Sequence, residues 1–358
     1  MKKQSLDLLT SIRGFAALWV VFYHIGGRLD EHLHSSLISF FSVGYLAVDL
    51  FFILSGFVIA LSYQQAFLSK KARFRDFIVK RIARIYPLHV FVLLLYLIIP
   101  LAFYATGREV DLNRFSVGSF VANLFLVNSW GFVSTLTWNI PSWSISVEFL
   151  SYCLFPLMLL LVKPLKGFFG LLISVLFSCA LLAFYFHTMD FTSIDDGLPL
   201  SGVTRCALEF FIGILTWNIY HRLMLVSSER GLICSNLAAL FVLVVLCSYY
   251  FRIPEFVVIA LASAILVLLC ALLEVSYNIK VPVPLRWLGD ISFSVYMLHY
   301  LLRDVMKMFL PEGQTPLIWI VLYFALLIVL SHLCFQYVEK KSQKFLINKF
   351  VNRAEKTR

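Results

Sequence analysis

The chain predicts an all-α membrane protein, a polytopic bundle of about ten transmembrane helices with both termini cytoplasmic. Three observations carry that expectation. Of the 358 residues, 61% are hydrophobic and only 14% are charged, against about 25% charged in soluble domains, which excludes a soluble enzyme. The mean hydropathy of +0.87 comes from apolar stretches that recur from end to end, so no segment is long enough to fold as a separate aqueous domain. Lys and Arg gather in alternate short connections, which is the asymmetry that orients membrane helices. The expected organisation is one membrane domain over 1–340 and a short basic cytoplasmic tail over 341–358.

A bilayer core takes about 20 mainly apolar residues per helix. Ten stretches meet that length: 8–26, 44–65, 84–105, 143–163, 168–187, 203–221, 231–251, 255–274, 289–310 and 316–338. Lys2 and Lys3 precede the first, but Arg13 interrupts it and no small-x-small cleavage site follows, so it reads as a retained span. The segment 115–128, FSVGSFVANLFLVN, is too short to cross and is expected as an interfacial or re-entrant element in the one long loop. With the N-terminus inside, 22 of the 30 Lys and Arg fall in inner segments, 7 of them in 66–86 and 7 from Lys340 onward. The net charge of +10 therefore reports orientation and contact with membrane lipid. No basic and aromatic module points to nucleic acid. The acidic Asp190, Asp195 and Asp196 fall in an outer loop, and the two halves show no sequence repeat of the transporter kind. Seven cysteines, without a CxxC, lie in or beside apolar segments and read as small buried hydrophobes.

An ionisable side chain inside a span costs about 2.5–3.5 kcal/mol on insertion scales, so each one needs a reason. Arg13 and His24 are eleven residues apart on the first span, nearly three whole turns, and share one face about 16 Å apart along the axis. Asp49 on the second span and Glu148 on the fourth enter from the same side as His24 and reach a similar depth. An imidazole oriented by a carboxylate is the minimum equipment for activating a hydroxyl, because the carboxylate fixes the tautomer and stabilises the imidazolium. Interhelical hydrogen bonding of His24, and pairing of Asp49 or Glu148 with Arg205, explain the same residues without chemistry.

Lys70, Lys71, Arg73, Arg75, Lys80, Arg81 and Arg84 crowd the start of the third span, where a lipid-facing anchor accounts for most of the run. Arg81 and Arg84, at i and i+3, share a face on which two planar guanidinium groups can grip phosphate, with Arg13 at a similar depth. Arg205 and Glu209, at i and i+4, are expected to form an ion pair near the outer surface. Tyr296 and His299, at i and i+3 in FSVYMLHY, are expected to line the same cavity or to pack helices. His32, His34, His89, His187, His221 and His332 lie alone or near interfaces. No His, Cys and carboxylate spacing resembles a metal site, and no Walker loop or dinucleotide fingerprint is present.

The first span, LDLLTSIRGFAALWVVFYH, resembles the opening of the acyltransferase-3 family of membrane O-acyltransferases, which is marked by an arginine and a histidine separated by ten residues, here Arg13 and His24. Five further stretches are similar to family elements in the same order. They are GYLAVDLFFILSGFVIA, RIARIYPLH with its Arg-x-x-Arg, NIPSWSISVEFLSY with Trp143 and Glu148, RCALEFFIG with Arg205 and Glu209, and ISFSVYMLHY with Tyr296 and His299. Together they span nearly the whole chain.

The resemblance implies ten transmembrane helices in a bacterial inner membrane and an acetyl-CoA or related acyl-CoA co-substrate, with no tightly bound cofactor. It implies acylation of a carbohydrate hydroxyl on lipopolysaccharide such as O-antigen, on exopolysaccharide or peptidoglycan, or on a small glycoside. It makes His24 the base, assisted by Asp49 or Glu148, and brings Arg13, Arg81 and Arg84 to the CoA phosphates. Trp143, Arg205, Glu209, Tyr296 and His299 are expected at the acceptor. One tunnel is expected to join the guanidinium layer to His24. Longer relatives add an SGNH-hydrolase-like domain, and this chain ends about twenty residues after its last span, so that domain's work is expected to be unnecessary here or supplied by another protein. A homodimer is compatible with the sequence. A transporter or flippase for a glycolipid or small solute is the alternative from another class.

Overall fold

A computed structural model of the protein describes residues 6–165, 167–226, 229–310 and 315–352. Its helices are α1 (Asp7–Ile25), α2 (Ser35–Ser42), α3 (Ala47–Leu68), α4 (Phe74–Tyr96), α5 (Ile98–Ala105), α6 (Val117–Leu124), α7 (Ser142–Val162), α8 (Phe168–Thr188), α9 (Ser201–Val226), α10 (Arg230–Phe251), α11 (Glu255–Tyr277), α12 (Val283–Phe309), α13 (Leu317–Cys334) and α14 (Lys340–Ile347). The ten that run 18 residues or longer each overlap one of the ten predicted stretches. Among the described residues, eight helical segments are both long and apolar enough to cross a membrane. The two long helices that fall short are α9 and α12, whose polar side chains dilute their hydropathy. Those side chains turn inward. Arg205 and Glu209 on α9, and Ser292, Ser294 and His299 on α12, are all buried, so the helices that read least like spans hold the polar interior.

Two elements differ from expectation. The third span begins at Phe74, ten residues before the apolar stretch, because the basic run coils as the first turns of α4. Long Lys and Arg stems can cover apolar surface while their charges reach water, so that run need not be loop. After Cys334 the chain continues through a single π turn (Phe335–Glu339) into α14, which packs against α4. The first part of the predicted tail is thus ordered helix, and 353–358 lie outside the described residues. The short α6 matches the expectation that 115–128 does not cross, and its Asn123 is fully buried against α4 and α7. All seven cysteines are free thiols, five of them buried.

Helices in lipid gain little from hydrophobic burial against each other, so close backbone approach decides which of them pair. α3 packs most extensively on α9, and α1 on α12. At the first crossing Gly56 faces the Phe210 carbonyl and Gly213 the Ile53 carbonyl, and a Cβ on either would collide with backbone. Gly14 and Gly289 meet in the same way between α1 and α12. Glu274 of α11 secures the start of α1 by accepting from the Asp7 and Leu8 amides at 2.7 and 2.8 Å. A carboxylate there satisfies orphan donors and complements the positive end of the helix.

The basic residues of the α3–α4 connection and of α14 mark one end of the bundle, here the basic end. At the other, the loop end, segment 106–141 folds onto α12: Arg114 pairs with Asp304, and Asn139 Nδ2 donates to the Met297 carbonyl at 3.1 Å. Loop 189–200 is tied through Glu255, which accepts from Tyr45 (2.5 Å), Ser193 Oγ (2.8 Å) and the Ile194 amide (2.9 Å). Within that loop the Ser193 and Thr192 amides hold the Asp196 carboxyl below its usual range. The contribution of those bonds is complete above the ordinary Asp value and is lost as pH falls through the lowered one.

Replacing Gly213 by Leu is expected to lower the melting temperature in detergent by about 2–10 °C through overpacking. Gly118→Leu on α6, where nothing lies within 4 Å of the added carbon, should leave it unchanged; equal melting of the two variants would show that the crossing imposes no such constraint.

Candidate active site

Arg81 and Arg84 extend from the start of α4, and Arg13 from α1, into one cavity of about 140 Å³ that Glu148 and Tyr296 also line. The i, i+3 spacing of Arg81 and Arg84 therefore does place two guanidinium groups on one wall, and the crossing of α1 and α12 brings the third. Their pairing is incomplete. Arg84 Nη1 donates to Glu339 Oε2 at 2.5 Å. Arg81 Nη2 donates to the Tyr63 hydroxyl at 3.2 Å, and its Nε is buried without a partner. Arg13 makes no hydrogen bond or ion pair with the described residues. Three fixed cations against Glu148 and Glu339 leave a positive excess in a partly desolvated recess, which favours an anion such as phosphate.

The pairings of the carboxylates differ from expectation. Asp49 is fully buried and bound in bidentate fashion by Arg205, Nε and Nη2 each 2.8 Å from an oxygen. The close α3–α9 crossing imposes this pair, which commits Asp49 to Arg205 and not to His24. Arg205 Nη1 reaches Asp195 Oδ1 at 3.0 Å and the Ile194 carbonyl at 3.2 Å. The expected Arg205–Glu209 ion pair is therefore absent. Glu209 lies fully buried beside Asp49 and makes no ion pair with Arg205 within 4 Å. Trp143 stacks under the guanidinium of Arg205, 5.5 Å from the ring centroid, and does not line the cavity. Glu148 accepts from the Tyr152 hydroxyl at 2.7 Å, a partner one turn along the same helix. It faces the guanidinium cavity and makes no contact with His24.

His24 lies instead against α12. Its ring centroid is 5.2 Å from that of His299, with 26° between the planes, and 5.0 Å from Tyr300. His299 is fully buried, with Nδ1 2.7 Å from the Tyr296 carbonyl. A carbonyl only accepts, so Nδ1 carries the proton and the Nε2 of the neutral ring is a lone-pair acceptor. That Nε2 is buried without a partner. The cavity of the three arginines does not by itself extend to His24. His24 is not among the cavity walls, and Tyr296, hydrogen-bonded to Ser144 at 2.8 Å, stands with His299 between the cavity and His24. Sequence reading missed Glu339, buried after the last span and holding both Arg84 and Ser294 (2.5 Å), although a carboxylate beside an apolar stretch was its signal. It also missed Tyr152, for which the i, i+4 spacing from Glu148 was the signal.

The family model for the acyltransferase-3 group, described as an acyltransferase domain, matches residues 6–335. The chain belongs to the acyltransferase-3 family. Proteins similar to it include Acyltransferase MdmB of Streptomyces mycarofaciens, 31% identical over 59% of this chain and 56% of the relative. The putative peptidoglycan O-acetyltransferase YrhL of Bacillus subtilis is 24% identical over 93% of this chain and 54% of its own length. The peptidoglycan O-acetyltransferase OatA of Listeria monocytogenes is 23% identical over 96% and 56%. The chain thus spans about half the length of these relatives. No solved structure matches it.

Removing one partner of the Asp49–Arg205 pair should be costly, since the other charge is then stranded in a low-dielectric interior. Asp49→Ala is expected to destabilise the protein by about 3–5 kcal/mol, and the double variant Asp49→Leu with Arg205→Met to recover most of it in the same unfolding measurement. Additive losses would mean that the two side chains do not act as a pair.

Proposed function

We propose that this protein is a membrane O-acyltransferase that takes an acetyl or short acyl group from acyl-CoA at its basic end and delivers it to a hydroxyl of a cell-surface or lipid-linked polysaccharide. The observation that carries the reading is the convergence of Arg13, Arg81 and Arg84 on one cavity whose far wall, Tyr296, leads through His299 to His24. Membership of the acyltransferase-3 family supports acyl transfer. The names of two relatives favour acetyl as the group and peptidoglycan over O-antigen as the acceptor. The Lys and Arg asymmetry supports a cytoplasmic basic end in a bacterial inner membrane, where acyl-CoA is available.

In this reading the donor's phosphates rest on the three arginines and its thin pantetheine arm extends toward the loop end. A cavity of about 140 Å³ is smaller than the roughly 300–1,000 Å³ of a typical small-molecule site. It therefore takes the phosphate-bearing or thioester part of the donor, and the Tyr296–Ser144 hydrogen bond parts to let the arm through. His24 acts as general base. It removes the proton of the acceptor hydroxyl, the oxygen attacks the thioester carbon, and the C–S bond breaks to release CoA thiolate.

With labelled acetyl-CoA and inverted membrane vesicles that retain their own polysaccharide, His24→Ala is expected to lower transfer by about 10²–10⁴-fold at unchanged protein level. Full activity of that variant removes the base assignment, and solute uptake without transfer by the unsubstituted protein would replace the enzyme by a transporter. Arg81→Gln with Arg84→Gln should raise the KM for acetyl-CoA by about tenfold or more, the loss expected for one or two charged hydrogen bonds. An unchanged KM would return both residues to lipid anchoring. NMR of the surface polysaccharide with and without the protein names the acceptor.

A further inference from the structure

The assignment of His24 as base leaves open what holds its imidazole. Among the described residues no carboxylate does so: Asp49 is held by Arg205, and Glu148 by Tyr152 in the cavity of the three arginines. The group beside His24 is His299, whose proton is fixed on Nδ1 by the Tyr296 carbonyl and whose Nε2 is buried with nothing bound to it. An unpartnered acceptor in the protein interior is costly and calls for an explanation.

The geometry points to His299 as the positioning residue of His24, with its neutral Nε2 accepting an N–H of His24 during the reaction. The spacing allows it. Two near-coplanar imidazoles joined by an N–H···N bond of roughly 2.9 Å, with about 1.1 Å from each nitrogen to its ring centre, have centroids about 5.1 Å apart. The observed separation is 5.2 Å, with the rings stacked at 26° between the planes and no bond yet formed, so the distance is already within reach and the orientation is what His24 must change. His24 makes no hydrogen bond with the described residues, its ring is flanked by Tyr23 at 4.8 Å and Tyr300 at 5.0 Å between centroids, and bringing an N–H to His299 takes a turn about its own side-chain torsions. His299 cannot turn in the same way, because its Nδ1 is tied to Tyr296 and its carbonyl accepts from Tyr323 Oη at 2.9 Å.

The step balances. The acceptor O–H breaks and its proton passes to one nitrogen of His24, while the opposite N–H is held by His299 Nε2. The C–O bond forms as the C–S bond breaks, and the thiolate leaves with the electron pair. The positive charge is shared within the imidazole pair until the proton passes to the thiolate. The inference rests on the proposed acyl transfer.

The test separates the two ring nitrogens. The amide of Asn falls near the position of Nδ1 and that of Gln near Nε2, so His299→Asn keeps the bond to Tyr296 and loses the acceptor, whereas His299→Gln keeps the acceptor. In full-length protein in vesicles with labelled acetyl-CoA, His299→Asn is expected to lower the maximal rate by about 100-fold with the KM for acetyl-CoA within about twofold, and His299→Gln by less than tenfold. A purely structural role predicts the reverse order, and that order, equal rates for both variants, or a change confined to KM overturns the inference. If His24→Ala is inactive while His299→Asn is fully active, this inference alone falls; if His24→Ala retains activity, the assignment of the base falls and this one with it.

Discussion

Backbone contact at two glycine pairs is the constraint on which the rest of this structure depends. In a bilayer the lipid is as apolar as the helices, so the helices that pair are those whose surfaces allow the closest approach. The Gly56–Gly213 crossing sets α3 against α9 and brings Asp49 to Arg205. The Gly14–Gly289 crossing sets α1 against α12, which aligns Arg13 with the arginine cavity near one end of α1 and His24 with His299 near the other. Both proposed chemical layers therefore hang on a single helix pair.

The charges within the bundle divide into two kinds. Arg205 is fully enclosed and saturated by Asp49, Asp195 and a carbonyl. Such a pair offsets its own desolvation and fixes which helices meet. The cations of the cavity are under-saturated by comparison: among the described residues Arg13 makes no hydrogen bond or ion pair, Arg81 bonds Tyr63 but keeps a bare Nε, and Arg84 is paired by Glu339 from the far end of the chain. A protein retains partly solvated cations with spare donors where an anion is to be received, and closed pairs where it is not. The π turn that delivers Glu339 makes the C-terminal helix part of that wall.

Tyr296 and His299 stand between the two layers, one helical turn apart on α12. Tyr296 closes the cavity with Ser144, and His299 presents a bare nitrogen beside His24. The resting arrangement separates the guanidinium cavity from the imidazole. In the proposed reaction the Tyr296–Ser144 pair would be the point at which the donor's arm passes and water is kept out.

Which stretches become helices, the polar residues that stand out against them, and the family they belong to were legible in the chain itself. Each of these depends on local composition and on the 3.6-residue period, which place Arg81 with Arg84 and Arg13 in line with His24 whatever the neighbouring helices do. Partnership was not legible. Counting residues gave Asp49, Glu148 and His24 a similar expected depth on three helices, yet Glu148 lines the cavity of Arg13, Arg81 and Arg84, because positions come from packing between segments far apart in the chain. The i, i+4 spacing of Arg205 and Glu209 read as an ion pair, and it lost to an aspartate 156 residues away because backbone contact at glycines positions that carboxylate more closely. The tertiary structure alone decided that the carboxylates serve other partners and that an imidazole faces His24, since lateral helix order is set by steric fit between surfaces that no single stretch of sequence contains.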